Sequence, residues 1–193
     1  INDSLSRLNK IDEDPKVWFT SDTHFGQERT LELSRRLFRD VKHMDRELVR
    51  NWNKVIKEND TVYHLGDWGD INKISDVLPQ LNGKRIITIP GNYDKEDIQQ
   101  VLSSDPRIEF VEQRHTIKIQ GIDVSLVHEP ENMQHKGFYL FGHIHQLQMV
   151  KTNALNVGTD CHNYSPINED DVMFYHNAIT NFYDDNVFSN FLK

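Results

Sequence analysis

The chain has 193 residues, 37% of them hydrophobic and 27% charged, with a formal net charge of −8. These values are ordinary for one globular domain with a substantial core, and no apolar run approaches the roughly 20 residues of a membrane-spanning helix. The acidic balance argues against generic binding to a nucleic-acid backbone, which needs clustered Lys and Arg.

Residues 1–15 are polar and end in Asp14-Pro15. They are expected to be an N-terminal extension, with a single domain over 16–193. No secretory leader is visible after Ile1. The single cysteine, Cys161, cannot form an internal disulfide, which fits a cytoplasmic location. A short strand is expected over 17–21. A helix is expected over 28–39, with Leu31, Leu33 and Leu37 on its inner side. Met44, Leu48, Trp52 and Ile56 have helical spacing and predict a second helix. Further strands are expected over 61–63 and 85–89, the latter cut off by Pro90-Gly91. Helices are expected over 71–78, ended by Pro79, and over 95–102. Residues 115–120 and 122–127 alternate around Gln120-Gly121 as a β-hairpin does. Short strands are expected again over 139–141 and 155–157. Helices alternate with strands first and sheet dominates later, which suggests an α/β fold of two packed sheets with helices outside.

The chemistry is carried by the residues just past the strand ends. Asp22-x-His24 succeeds the first strand, Gly66-Asp67 the second and Gly91-Asn92 the third. His128 succeeds the hairpin, and Gly142-His143-Ile144-His145 succeeds residues 139–141. Five strand ends thus deliver two carboxylates, one amide oxygen and four imidazoles. Glycine precedes three of the five groups and lets the backbone turn sharply. Mixed His and Asp suits divalent Mn, Fe, Zn or Ni better than Mg or Ca. Cysteine ligands are missing, which speaks against a structural zinc site. The set is too large for one tetrahedral ion and suits two ions sharing a carboxylate. Two-metal sites with ions about 3.5–4 Å apart hydrolyse phosphate esters.

In order and spacing these residues resemble the calcineurin-like metallophosphoesterase superfamily. "DTHFG", "NWN", "DTVYHLGD" and "LNVGTDCHNYSPI" resemble its small single-domain bacterial and phage branch. The resemblance implies a four-layer α-β-β-α sandwich of two mixed sheets flanked by helices. It implies that Asp22, His24 and His145 hold one metal, that Asn92, His128 and His143 hold the other, and that Asp67 bridges them. Manganese is the expected ion, with Fe, Zn or Ni as alternatives. The implied reaction is attack of a metal-bridging hydroxide on a phosphate ester, with Asp67, Asn92 and Tyr93 as catalytic positions. A phosphodiester or nucleotide substrate is preferred over a monoester. Nucleic acid enters only as a substrate, and no membrane partner is expected.

The sequence departs from the family at two places. Tyr93 stands where the family commonly places a histidine that protonates the leaving group, and a phenol with a pKa near 10 is a weak acid for that task. Gln27 comes directly after "DTHFG", where close relatives carry His. The alternative function is a catalytically weakened metal-binding scaffold or protein-interaction module of the same fold. A third, a nucleic-acid repair partner, needs a basic stripe. Lys42, Arg46 and Arg50 lie among Asp40, Asp45 and Glu47 and read as a solvated face.

The other polar and aromatic residues have blander readings. His64 reads as a packed strand histidine, and His43, His115 and His176 as surface or structural residues. His135 and His162 lie in loops near the motifs. Trp68 and Tyr139 either pack or line a pocket. Asp70 reads as a loop cap, Asp94 as a cap or an orienter of its neighbour, and Cys161 as a small buried residue.

Overall fold

Alternating burial along the strands sets how the layers stack. The computed structural model describes residues 14–134 and 136–182. The expected extension therefore lies, over residues 1–13, outside the described residues, as does His135. The first sheet contains β1 (Val17–Thr20), β2 (Thr61–His64), β3 (Arg85–Thr88), β4 (Ile108–Phe110) and β10 (Ile167–Asn168). Its order is β10-β1-β2-β3-β4, parallel except that β10 runs antiparallel to β1. The second sheet contains β5 (Arg114–Ile119), β6 (Ile122–Val127), β7 (Phe138–Phe141), β8 (Val150–Lys151) and β9 (Ala154–Asn156). Its order is β5-β6-β7-β9-β8, with antiparallel pairs at both ends and parallel pairs between.

Successive strand side chains point to opposite faces. In β1, Phe19 joins Leu65, Ile89, Leu126, Leu140 and Leu155 between the sheets. Its neighbour Trp18 faces the other way with Val62 and Ile86. Helices cover that outer face: α2 (Val41–Val55) through Met44, Leu48 and Trp52, α3 (Ile71–Val77) through Ile74 and Val77, and α4 (Glu96–Leu102) through Ile98 and Leu102. The last helix, α5 (Glu169–Phe182), adds Val172 and Ile179 to the inter-sheet cluster. The fold is α/β, two mixed sheets flanked by helices, as the sequence led us to expect.

One helix is shorter than its leucine spacing predicts. The stretch expected to be helical over 28–39 contains only α1 (Arg29–Leu33). Leu33 and Leu37 are 76% and 92% exposed, and only Leu31 packs against the core. The chain leaves the helix at Ser34, and Arg35 takes a left-handed φ of 50°. That turn directs Arg36, rather than Leu33 or Leu37, inward. Its guanidinium donates to the carbonyls of Asp22 (2.5 Å) and Thr23 (2.9 Å), so a buried ionic network overrides the leucine spacing.

Register then delivers the site. Thr20, His64 and Thr88 are paired across β1, β2 and β3, so the three loops after them leave the sheet side by side. In the second sheet Leu126 pairs with Leu140, which brings the loop after β6 beside the loop after β7.

Candidate metal centre

The ladder continues into the loops. Asp22 N donates to Gly66 O at 2.9 Å and His24 N to Asp67 O at 3.1 Å. Gly142 N donates to His128 O at 3.0 Å in the second sheet. The sheets meet where His143 N donates to Asp22 Oδ2 at 2.9 Å. Asp22, His24, Asp67, His143 and His145 all have left-handed φ values, between 50° and 72°. Non-glycine residues seldom adopt this region, and each such residue stores on the order of 1–3 kcal/mol where the surroundings enforce it. The glycines serve close approach. A Cβ on Gly91 would collide with Asp67 Oδ1, and one on Gly142 with Asp22 Oδ2.

Two clusters result. Asp22, His24 and His145 can offer ligand atoms all within 4.8 Å of one another, and so can Asp67, His128 and His143. Asp67 Oδ2 faces both, lying 3.7 Å from His24 Nε2 and 3.3 Å from His128 Nε2. Asn92 Oδ1 lies 3.1 Å from His128 Nε2 and 3.0 Å from His143 Nδ1. The seven residues singled out in the sequence are therefore brought together. Tyr93 sits at the rim, 39% exposed, with its backbone N–H donating to Asp67 Oδ1 at 2.9 Å.

The imidazoles are oriented by their outer nitrogens, a common arrangement around metals. His24 Nδ1 donates to Gln27 Oε1 at 2.8 Å, His128 Nδ1 to Leu65 O at 2.6 Å and His145 Nδ1 to Asp160 Oδ2 at 2.8 Å. Each Nε2 is thereby turned inward. Burial lowers the His24 pKa, against the pull of Asp22 and Asp67, and favours the neutral ring. Its Nε2 is buried without a hydrogen-bond partner. An orphaned buried nitrogen 3.8 Å from Asp22 and 3.7 Å from Asp67 is what a cation-binding site leaves open. Burial also works against a charged His128, yet the hydrogen bond to Asp67 and the nearby carboxylates raise its pKa to about 9. That position calls for positive charge, which a proton or a divalent ion can supply. For Asp67, burial opposes the charge, and contact with His128 and His24 outweighs it, lowering the pKa. The donor set fits a pair of divalent ions.

Four supporting residues were missed or misjudged in the sequence. Gln27 orients His24. Asp160 orients His145 and accepts two hydrogen bonds from Arg36, 2.9 Å from Nε and 2.8 Å from Nη2. Burial opposes the Asp160 charge, but His145 and Arg36 hold its pKa down at about 2. Asp94 neither caps α4, whose N-cap is Lys95, nor orients Tyr93. It accepts from the amides of Asp67 (2.8 Å), Trp68 (3.0 Å) and Gly91 (2.9 Å), and ties the second and third site loops together. Burial pushes its pKa up to about 6 despite these bonds. Asp160 lies inside "LNVGTDCHNYSPI", so its motif was visible; its pairing with a residue 124 positions earlier was not.

The remaining polar residues take structural parts. His64 is fully buried, stacked on Trp68 at 3.9 Å and bonded to Thr23 Oγ1 at 3.0 Å. Trp68 and Tyr139 are both buried. His162 bonds Asn156 O at 2.7 Å. His43 Nδ1 accepts from Arg39 N, and the His115 and His176 rings lie against Tyr63 and Phe138. Asp70 caps α3 through Asn72 N. Cys161 is half-buried, and burial pushes its thiol pKa up to about 12. Lys42, Arg46 and Arg50 are exposed, whereas Asp45 is buried and accepts from Gly26 N. Among the described residues, no helix is long and apolar enough to cross a membrane.

Comparison with known proteins agrees with this geometry. The model of the calcineurin-like phosphoesterase superfamily domain matches residues 16–169. An uncharacterized protein of Methanocaldococcus jannaschii is 30% identical over 169 residues, covering 80% of this chain and 88% of its own. The gene 66 protein of Mycobacterium phage L5 is 37% identical over 84 residues, covering 40% of this chain and 39% of the phage protein. Among solved structures, a protein of unknown function from Aquifex aeolicus superimposes with a TM-score of 0.68 at 23% identity. It covers 84% of this chain and 100% of its own.

Proposed function

The chain belongs to the calcineurin-like phosphoesterase superfamily and is a dinuclear metal-dependent phosphoesterase; on that premise we propose how its residues divide the work. Asp22, His24 and His145 hold one ion. Asn92, His128 and His143 hold the other, and Asp67 is shared. The observation that carries this division is Asp67 Oδ2, placed between His24 and His128. Manganese is the proposed resident metal, because mixed imidazole and carboxylate donors suit it and its first-row neighbours.

When bound, a pair of divalent ions supplies an activated water and neutralises charge developing on the phosphoryl group. The protein's own part is to hold those charges rigidly. Left-handed backbone at five ligand positions, the Asp94 clasp and the three imidazole tethers leave little to reorganise during reaction. Tyr93 is held at the rim by the bond from its N–H to Asp67.

The proposed substrate is a phosphodiester or nucleotide. A cavity of about 140 Å³ opens beside Asn92 and His128, lined also by Gln99, Gln113, Asn132 and Glu129. Amides together with the Glu129 carboxylate suit hydroxyls and base edges better than a further phosphate. The test is a screen of manganese-loaded protein against mono-, di- and cyclic nucleotide phosphates with short DNA and RNA. Diester hydrolysis that is lost with chelation is the expected result. Two bound ions with no hydrolysis of any ester would instead mark a metal-binding scaffold.

A further inference from the structure

Among the described residues, Tyr93 is one of the few large hydrophobic or aromatic side chains left exposed, and its ring is not bare. The Arg29 guanidinium carbon lies 4.4 Å from the ring centroid. Tyr93 also meets the His24 ring edge-on, at 5.8 Å and 70°. One aromatic ring therefore separates the guanidinium from a proposed metal ligand. Both ends of this arrangement are pinned. Tyr93 N is bonded to Asp67 Oδ1, and Arg29 opens α1 just after Gln27, whose side chain is bonded to His24.

Arg29, like Arg35, Arg46 and Arg114, lacks the carboxylate partner that occupies five other described arginines. Arg36, Arg39, Arg50, Arg85 and Arg107 each have a carboxylate partner. Arg29 has no ion pair among the described residues, although the chain carries a net charge of −8. A guanidinium held over a ring by cation–π attraction leaves its N–H donors free for an oxyanion.

We propose that Arg29, held over the Tyr93 ring, is a substrate-binding residue whose guanidinium contacts phosphoryl oxygens of the ester at the metal centre. Arg29 supplies hydrogen-bond donors and positive charge, not a transferable proton. Tyr93 is a positioning residue in this arrangement: it acts as the shelf. The inference rests on the phosphoesterase reading and adds to it a fixed cation supplied by the protein.

The experiment uses full-length, manganese-loaded protein, with inorganic phosphate binding measured by calorimetry alongside hydrolysis of nitrophenyl esters. Arg29→Met removes the charge from an exposed position, so folding and metal content are expected to stay at wild-type values. A hydrogen bond to a charged group is worth about 1.5–3 kcal/mol, so phosphate affinity should fall about 10- to 100-fold. Arg29→Lys keeps the charge without the planar fork and should restore only part of it. Tyr93→Leu removes the shelf and should weaken phosphate binding by a smaller factor. Phosphate affinity within twofold of wild type in Arg29→Met, with both ions retained, overturns the inference. Unchanged affinity in Tyr93→Leu overturns the shelf role. If wild-type protein hydrolyses esters and Arg29→Met still binds phosphate normally, Arg29 alone is refuted. If wild-type protein hydrolyses nothing, the phosphoesterase reading fails, whatever Arg29→Met does to phosphate.

Discussion

Replacing Asp160 with Asn tests whether the charge behind His145 matters for fold and metal alike. In the native protein this buried carboxylate is shared by Arg36 and His145, all three bonds lying at 2.8–2.9 Å. Its pKa is held at about 2 against an ordinary 3.8. At 1.36 kcal/mol per unit, that depression corresponds to roughly 2 kcal/mol of stability. Asn also strands the Arg36 charge among carbonyls, and removing one partner of a buried pair costs about 3–5 kcal/mol. The larger figure sets the expectation, a serious loss against a total of about 5–15 kcal/mol. Urea denaturation of both proteins in chelator measures it. A depressed carboxylate stabilises above its unfolded pKa, and the stabilisation is lost as pH falls through its folded pKa. The charge-dependent part of the gap should therefore be full at neutral pH and shrink by roughly half near pH 3. Metal affinity at neutral pH should fall about 10- to 100-fold, because His145 loses the group that fixes its orientation. A gap under about 1 kcal/mol, or wild-type metal affinity in the variant, would refute the reasoning.

Asp67→Asn should lose both ions or most activity, since one oxygen faces both clusters; elemental analysis at wild-type stoichiometry with full activity would reject the shared role. Gly91→Ala should abolish tight metal binding, because the added methyl collides with Asp67, and a calorimetric titration matching wild type would show that the loops can part. Metal affinity should decline as pH drops below about 9, where His128 takes up a proton that competes with the ion, with added manganese partly restoring activity; a flat profile from about pH 9 down to about pH 5 would contradict imidazole ligation. Nitrophenyl diesters should be hydrolysed faster than alkyl monoesters, and Tyr93→His should raise the rate on poor leaving groups by up to about 10²–10⁴-fold. An equal gain on nitrophenyl esters would show that proton donation is not what Tyr93 lacks.

The candidate ligand residues were legible because each comes after a short apolar strand at a fixed spacing, a pattern local enough to see in one dimension. Asp22 and His24 announce themselves within "WFTSDTHFG". Their supports did not, because Arg36 and Asp160 meet only after both sheets have docked. The stripe formed by Leu31, Leu33 and Leu37 misled for a related reason. Periodicity shows which face would be apolar in a continuing helix, and it is blind to a left-handed residue such as Arg35 that ends one. β8 and β10, at two residues each, are too short to display alternation, and β4 at three is scarcely longer. The start of α5, Glu169-Asp170-Asp171, belongs to a helix rich in β-branched and aromatic residues, which blurred its signal.

Each cluster draws from both sheets. Asp22 and His24 come after β1 while His145 comes after β7; Asp67 comes after β2 while His128 and His143 come after β6 and β7. Mechanically, an ion in either cluster is a rivet through the seam. Sliding one sheet along the other breaks coordination at both rivets at once, so the seam resists shear in proportion to how tightly the ions are held. With both ions bound, the interface that positions the chemistry would be made rigid by the chemistry's own cofactor. The same rivets impose an order on assembly: neither can be set until the two sheets have closed, and once set they hold closed the joint on which their own coordination depends.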